Sequence, residues 1–158
     1  MSRLSPSPRS LSGAGLRVGV VAARFNGEVV ERLLAGALET LDAAGVGEEA
    51  RAIVRVPGAW EIPQALEAMA RQGKWDALVA LGAVVRGETP HFDIVAGECS
   101  RGASEVALRH GVPVTFGVLT CDTFEQAMAR AGGEAGNKGA EAASAAIELA
   151  RELARIRA

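Results

Sequence analysis

The chain reads as a three-layer α/β/α domain, a doubly wound parallel sheet covered by helices on both faces. Strand-like and helix-like segments alternate from end to end, the pattern of consecutive β-α-β units. The strand-like segments are continuous apolar runs rich in Val rather than alternating ones, as expected of strands buried on both faces. Each run then breaks into a short polar turn where a parallel strand hands over to its helix. Four such runs imply a four-stranded sheet with right-handed crossovers.

The elements follow in order. Residues 16–23 (LRVGVVAA) form a buried strand. Asn26 and Gly27 open a helix that runs to about residue 44, with Val30, Leu33, Leu34, Ala37, Leu38 and Leu41 on its inner face, and Gly45 ends it. Residues 50–56 (ARAIVRV) are the second strand, stopped by Pro57-Gly58. A helix over 61–72 turns Ile62, Ala65, Leu66 and Met69 inward, and Pro63 is tolerated in its first turn. Residues 76–85 form the third strand and 92–110 the third helix. Residues 112–119 (VPVTFGVL) are the fourth strand, and a short helix over 123–131 is ended by Gly132-Gly133. Asn137 suits the N-cap of a last long helix. Its small face (Ala140, Ala143, Ser144, Ile147, Ala150, Ala154) packs closely on either the sheet or another subunit.

A length of 158 residues fits one domain with a real core. Residues 16–158 are expected to form it. Residues 1–15, Ser/Pro/Arg-rich at their start and without the apolar core of a secretory signal, are expected to be a disordered lead-in or an arm onto a neighbouring subunit. A net charge of -2 with interspersed signs excludes an electrostatic case for nucleic acid or anionic membrane. No apolar stretch approaches bilayer length. The two cysteines, Cys99 and Cys121, read as reduced thiols in a cytoplasmic protein rather than as a disulfide. With only His91 and His110 beside them, no metal site is expected.

In open α/β sheets ligands bind beyond the carboxyl ends of the strands. The richest such end here is Val84-Val85-Arg86-Gly87-Glu88-Thr89-Pro90-His91-Phe92-Asp93, which gathers a fixed cation, a carboxylate, a hydroxyl and an imidazole. His91 reads either as a proton shuttle near neutral pH or as a surface or capping histidine. Gly87-Glu88-Thr89 leads into a helix N-terminus, which favours a phosphate, while the charge of Glu88 opposes one unless it points away. Phe25 and Trp60 follow the first two strands and read as core plugs singly, but as stacking platforms for a flat heterocycle together. Glu61 beside them can accept hydrogen bonds from ring or hydroxyl donors. Residues 133–139 (GEAGNKG) lack P-loop spacing and follow a helix, and Gly13-Ala14-Gly15 precedes the first strand, so neither is a nucleotide fingerprint. His110 before Gly111 reads as a C-terminal cap.

Arg24-Phe25-Asn26, Val56-Pro57-Gly58-Ala59-Trp60-Glu61-Ile62-Pro63, residues 82–93, Phe116-Gly117 and Ala135-Gly136-Asn137-Lys138-Gly139 occur in an order and spacing that resemble the 6,7-dimethyl-8-ribityllumazine synthase family. The resemblance covers residues 16–153. It implies a flavodoxin-like strand order and the penultimate step of riboflavin biosynthesis. There 5-amino-6-(D-ribitylamino)uracil condenses with 3,4-dihydroxy-2-butanone 4-phosphate, without metal or organic cofactor. By the same resemblance Phe25 stacks on the pyrimidine, Ala59, Trp60 and Glu61 hold the ribityl chain, and Ala83, Val84 and Val85 meet the ring through backbone groups. Glu88 and Thr89 lie at the phosphate, Arg130 pairs with it, His91 transfers protons, Phe116 closes the pocket, and Lys138 approaches from nearby. Two departures stand out: Trp60 where Phe is commoner, and Ala83 where a hydroxyl residue is frequent.

The resemblance also implies a homopentamer with sites between subunits, and riboflavin synthase as a further partner. The short link over 131–137 goes with shells of twelve pentamers, whereas Glu134 replaces a frequent Lys. Three rival readings remain. A receiver domain on the same fold would need acidic residues after the first strand, where Arg24-Phe25-Asn26 stands instead. An inactive shell-forming or flavin-binding paralogue would show decay, yet His91, Arg130 and Lys138 are all present. An enzyme that dismutates two lumazines is the third.

Overall fold

The computed structural model describes residues 11–158. Its sheet has the order β2-β1-β3-β4, all parallel: β1 Val18–Ala23, β2 Arg51–Val56, β3 Ala77–Val85 and β4 Val114–Cys121. The helices are α1 Gly27–Ala43, α2 Ile62–Arg71, α3 His91–His110, α4 Phe124–Ala129 and α5 Lys138–Arg157. This is the three-layer, flavodoxin-like arrangement expected from the alternation.

Strand periodicity divides the core in two. Val18, Val20, Ala22, Val79, Leu81 and Ala83 point to the layer of α1 and α5, where Leu33, Leu41 and Ile147 meet them. Val21, Ala23, Leu78, Ala80 and Val118 point to the layer of α2 and α3, with Ile62, Leu66 and Cys99. Every residue of β1 is buried, which is why it reads as an unbroken apolar run. Burying a Leu such as Leu66 contributes about 1.5–3 kcal/mol.

The small face of α5 is satisfied within its own chain. Ala142, Ala143, Ala146, Ile147 and Ala150 are buried against the first core layer. Gly139 crosses α1 so closely that a Cβ there would lie 2.0 Å from the Leu33 carbonyl oxygen. Ala140 and Ser144 are only half-buried and Ala154 is exposed. The helix is therefore turned from the expected face towards α1, and its buried alanines are not a free surface for another subunit. Asn137 caps it as expected, its Oδ1 accepting from the Ala140 N–H at 3.0 Å.

Three other differences have local causes. The fourth strand runs on to Cys121, because Val84 and Val85 pair with Thr120 and Cys121. Gly132 and Gly136, at φ 98° and 83°, allow a two-stranded hairpin, β5 Ala131–Gly133 with β6 Gly136–Asn137. Segments this short and Gly-rich carry no alternation to read. The expected disordered segment 1–15 lies outside the described residues up to position 10, but residues 11–15 are tied down. Leu11 packs on the core, the Gly13 N–H donates to Ala44 O at 2.7 Å, and Arg151 binds Ser12 O and Ala14 O. Among the described residues no helix is long and apolar enough to cross a membrane.

Candidate active site

The strand ladder is prolonged past its own ends, and this builds one wall of a groove. The Arg24 N–H donates to Val56 O at 2.8 Å and the Phe25 N–H to Pro57 O at 3.0 Å. Phe25 is thereby held beside the Pro57-Gly58 turn, 71% exposed. Asn26 then turns the chain into α1 in the left-handed region (φ 57°), where Asn is among the better-tolerated residues. Its Nδ2 donates to Ala83 O at 2.8 Å, locking this turn to the end of β3.

After β2 a 3-10 turn, Ala59–Glu61, sets Trp60 at the surface, 49% exposed, and leads into α2. β3 continues beyond its last pairing with β1, Ala22 with Leu81. Val84 and Val85 thus leave the β1 side and line the groove. The chain then turns through Gly87 and Thr89 into α3, whose first residue is His91. The His91 N–H lies 3.4 Å from Thr89 Oγ1, and the side chain is exposed at the groove.

The groove has a volume of about 500 Å³. Nine of the expected site residues line it: Phe25, Ala59, Trp60, Glu61, Ala83, Val84, Val85, Thr89 and His91. Phe25 and Trp60 are therefore groove walls and not core plugs. Glu88 is exposed and outside the lining. Pro57, Gly58, Gly87, Phe92 and Val95 also line the groove. Helical spacing was the available signal for Val95, one turn on from His91, whereas Phe92 is simply the next residue after it.

Phe116, Arg130 and Lys138 lie elsewhere. They line a second groove of about 340 Å³ along β4, with residues 117–121. The hairpin brings the two cations together: the Lys138 N–H donates to Arg130 O at 2.9 Å, and the Ala135 N–H to Ala129 O at 2.9 Å. Arg130 closes α4 and donates to Gln126 O at 3.0 Å. Among the described residues it has no carboxylate partner, whereas Lys138 pairs with Glu141 at 2.9 Å. Phe116 is 42% exposed on the open strand. One chain thus carries two separate grooves.

The remaining candidates are structural. Burial pushes the Cys99 thiol up to about 11. Burial also raises Cys121, against the opposing pull of Arg130. Both thiols are free and buried, far from a reactive thiolate state. His110 does not cap its helix, because Gly111 does so at φ 64°. Its Nε2 instead meets Glu67 Oε2 at 2.8 Å, where Arg71 and Arg109 also bind the carboxylate. Among the described residues no cluster of His, Cys, Asp and Glu could hold a metal.

A doubly wound domain with exposed aromatic rings, a carboxylate and an imidazole at the carboxyl edge of its sheet is a small-molecule site of the open α/β class. Comparison with known proteins narrows this class. The pattern that defines the family described as 6,7-dimethyl-8-ribityllumazine synthase matches residues 15–154. A protein named 6,7-dimethyl-8-ribityllumazine synthase from Desulfovibrio desulfuricans is 48% identical over 156 residues, covering 99% of this chain and 100% of that one. The chain belongs to the 6,7-dimethyl-8-ribityllumazine synthase family.

Proposed function

We propose that this chain condenses 5-amino-6-(D-ribitylamino)uracil with 3,4-dihydroxy-2-butanone 4-phosphate to 6,7-dimethyl-8-ribityllumazine, releasing phosphate and water. The reaction is the penultimate step of riboflavin biosynthesis. The observation that carries this reading is the groove in which Phe25, Trp60, Glu61 and His91 meet, on a chain of this family.

In this reading the pyrimidine stacks on Phe25 and faces the backbone of Ala83, Val84 and Val85. The ribityl chain runs along Ala59 and Trp60, with Glu61 accepting hydrogen bonds from its hydroxyls. A substrate amine attacks the ketone and loses water as an imine forms. Phosphate then leaves by elimination, the enol left behind becomes a second ketone, and the second amine closes the ring on it with loss of a second water. Each step moves a proton between neighbouring atoms, and His91 is the base and acid at hand. Much of the acceleration comes from holding two small reactants side by side. Thr89 and Glu88 lie at the loop nearest the leaving phosphate.

Arg130, Lys138 and Phe116 complete the site from a second subunit. What supports this is their separation from the first groove and the open edge of β4 beside them. Repeating that one heterologous contact closes a ring, here a pentamer. The short hairpin over 131–137 leaves room for rings to pack as a sixty-subunit shell. We further infer that residues 16–158 act as one domain in the cytoplasm, with riboflavin synthase as a partner that consumes the product.

Mixing the purified protein with both substrates and following lumazine absorbance and phosphate release tests the activity. No product from competent substrates would overturn it. Sedimentation separates monomer, pentamer and shell by mass.

A further inference from the structure

Arg86 stands at the end of β3 and belongs to none of the roles assigned above. Its N–H donates to Cys121 O at 2.8 Å, one rung past the last pair of the β3–β4 ladder. Its Nε donates to Asp122 Oδ1 at 2.9 Å, and Nη1 lies 3.5 Å from Asp93 Oδ1. The same guanidinium covers the Phe92 ring, 4.3 Å from its centroid. One planar cation thus joins the end of β4 to the first turn of α3.

The loop strung between these points has few other ties. Among the described residues its bonds are the 3.4 Å contact of the His91 N–H with Thr89 Oγ1 and helix-start bonds from the Asp93 and Ile94 N–H groups to Pro90 O, at 3.0 and 3.4 Å. A Cβ added at Gly87 would meet nothing within 4 Å. Asp122 is itself fixed, since its N–H donates to Gln126 Oε1 at 2.8 Å in the capping box of α4. The Asp122 hydrogen bond, with the nearby charges of Asp93 and Asp122, holds the guanidinium firmly in its charged form.

We propose that Arg86 is a positioning residue for the condensation: it clamps the first turn of α3 and so holds the His91 imidazole at the groove wall. The proposal rests on the proton-transfer reading of His91. Exposed ion pairs contribute little to global stability, so the effect of this cluster is expected in geometry and rate. A flat guanidinium can stack on a ring while donating in its own plane, which an ammonium cannot.

The test uses the full chain as Arg86→Ala, Arg86→Lys, His91→Ala and the Arg86→Ala/His91→Ala double variant. Arg86→Ala is expected to lower kcat about tenfold while moving either KM by less than about twofold, because small displacements of a reacting group cost rate. Arg86→Lys restores part of the loss. In the His91→Ala background the arginine change costs no more than about a further twofold, since it acts through the imidazole. Hydrogen exchange of the amides over 88–95 accelerates in Arg86→Ala whether or not His91 moves a proton.

Unchanged kcat or unchanged exchange in Arg86→Ala overturns the proposal, and so does a full tenfold loss in the double variant. His91→Ala at the wild-type rate removes the reading of His91 instead, and the exchange measurement then decides the clamp alone. If Arg86→Ala does not fold, Asp122→Asn keeps the arginine and its backbone bond. It should show the same pattern more weakly, and unchanged exchange there is equally fatal.

Discussion

The two grooves of this chain are built differently. The first is closed by covalent neighbours and by hydrogen bonds that outlast the strands: Arg24 to Val56, Phe25 to Pro57, and Asn26 to Ala83. Its aromatic walls and its imidazole stand ready in a single chain. The second lies along an open strand edge, where Phe116 is half in water and Arg130 has no carboxylate partner among the described residues. The first groove offers aromatic walls and an imidazole, and the second offers two cations beside a free strand edge.

The strongest way to break this comparison is complementation. His91→Ala damages only the first groove and Arg130→Ala only the second. If each site joins the first groove of one subunit to the second groove of the next, re-assembling an equal mixture of the two impaired variants restores about a quarter of the sites. The assay is read at a phosphorylated-substrate concentration too low for Arg130→Ala to turn over well. Activity that stays at the level of the variants would place both grooves' functions within one chain. A fully active monomer, sized by light scattering, would do the same.

His91→Ala by itself is expected to slow the condensation on the order of 10²–10⁴-fold, the usual contribution of a proton-transfer group. Its exposed position at the start of α3 predicts unchanged assembly and circular dichroism. An unchanged rate would remove it from the mechanism.

Arg130→Ala sharpens the comparison from the other side. Binding of the phosphorylated four-carbon substrate should weaken by about 1.5–3 kcal/mol, the value of a charge-assisted contact. Pyrimidine binding should barely move. Separate titrations of the two substrates decide this, and equal losses would contradict the division of labour.

The smallest effect lies away from both grooves. Desolvation pushes the Glu67 carboxyl up, but hydrogen bonds from His110, Arg71 and Arg109 and the charge of His110 outweigh it and leave it below its ordinary value. A depressed carboxyl stabilises the fold above its unfolded value and loses that contribution as pH falls through the folded one. Glu67→Gln should therefore lower the urea midpoint at about pH 7, with a gap that narrows towards about pH 3. A constant gap would mean that packing, not charge, is what Glu67 supplies.

Most of the first groove was legible because its residues sit at fixed offsets from strand ends. Phe25, Trp60 and His91 each follow a strand within a few positions, and the parallel sheet must bring those ends to one edge. Val95 was missed as a site residue although it lies one helical turn from His91, and Phe92 although it is the next residue. Arg86 was visible only as a cation in a polar turn. Its partners Asp93 and Asp122 come from two different elements, and no local pattern announces such a meeting.

What the sequence determined by itself is whatever depends on local period and composition. The Val-rich runs were readable as strands, with β1 and most of β3 buried on both faces, and the Asn137 cap and the glycine stop at 45 set where helices begin and end. The tertiary structure decided everything that depends on how helices turn about their own axes and which distant groups share a space. It rotated α5 so that its alanines meet α1 and the sheet, and it sent His110 to Glu67 instead of to its own helix end. It also set Phe116, Arg130 and Lys138 on a different surface from His91. The reason is physical: hydrogen bonding and burial of one face constrain each segment locally, while helix rotation and the meeting of distant side chains are settled only when all segments pack at once.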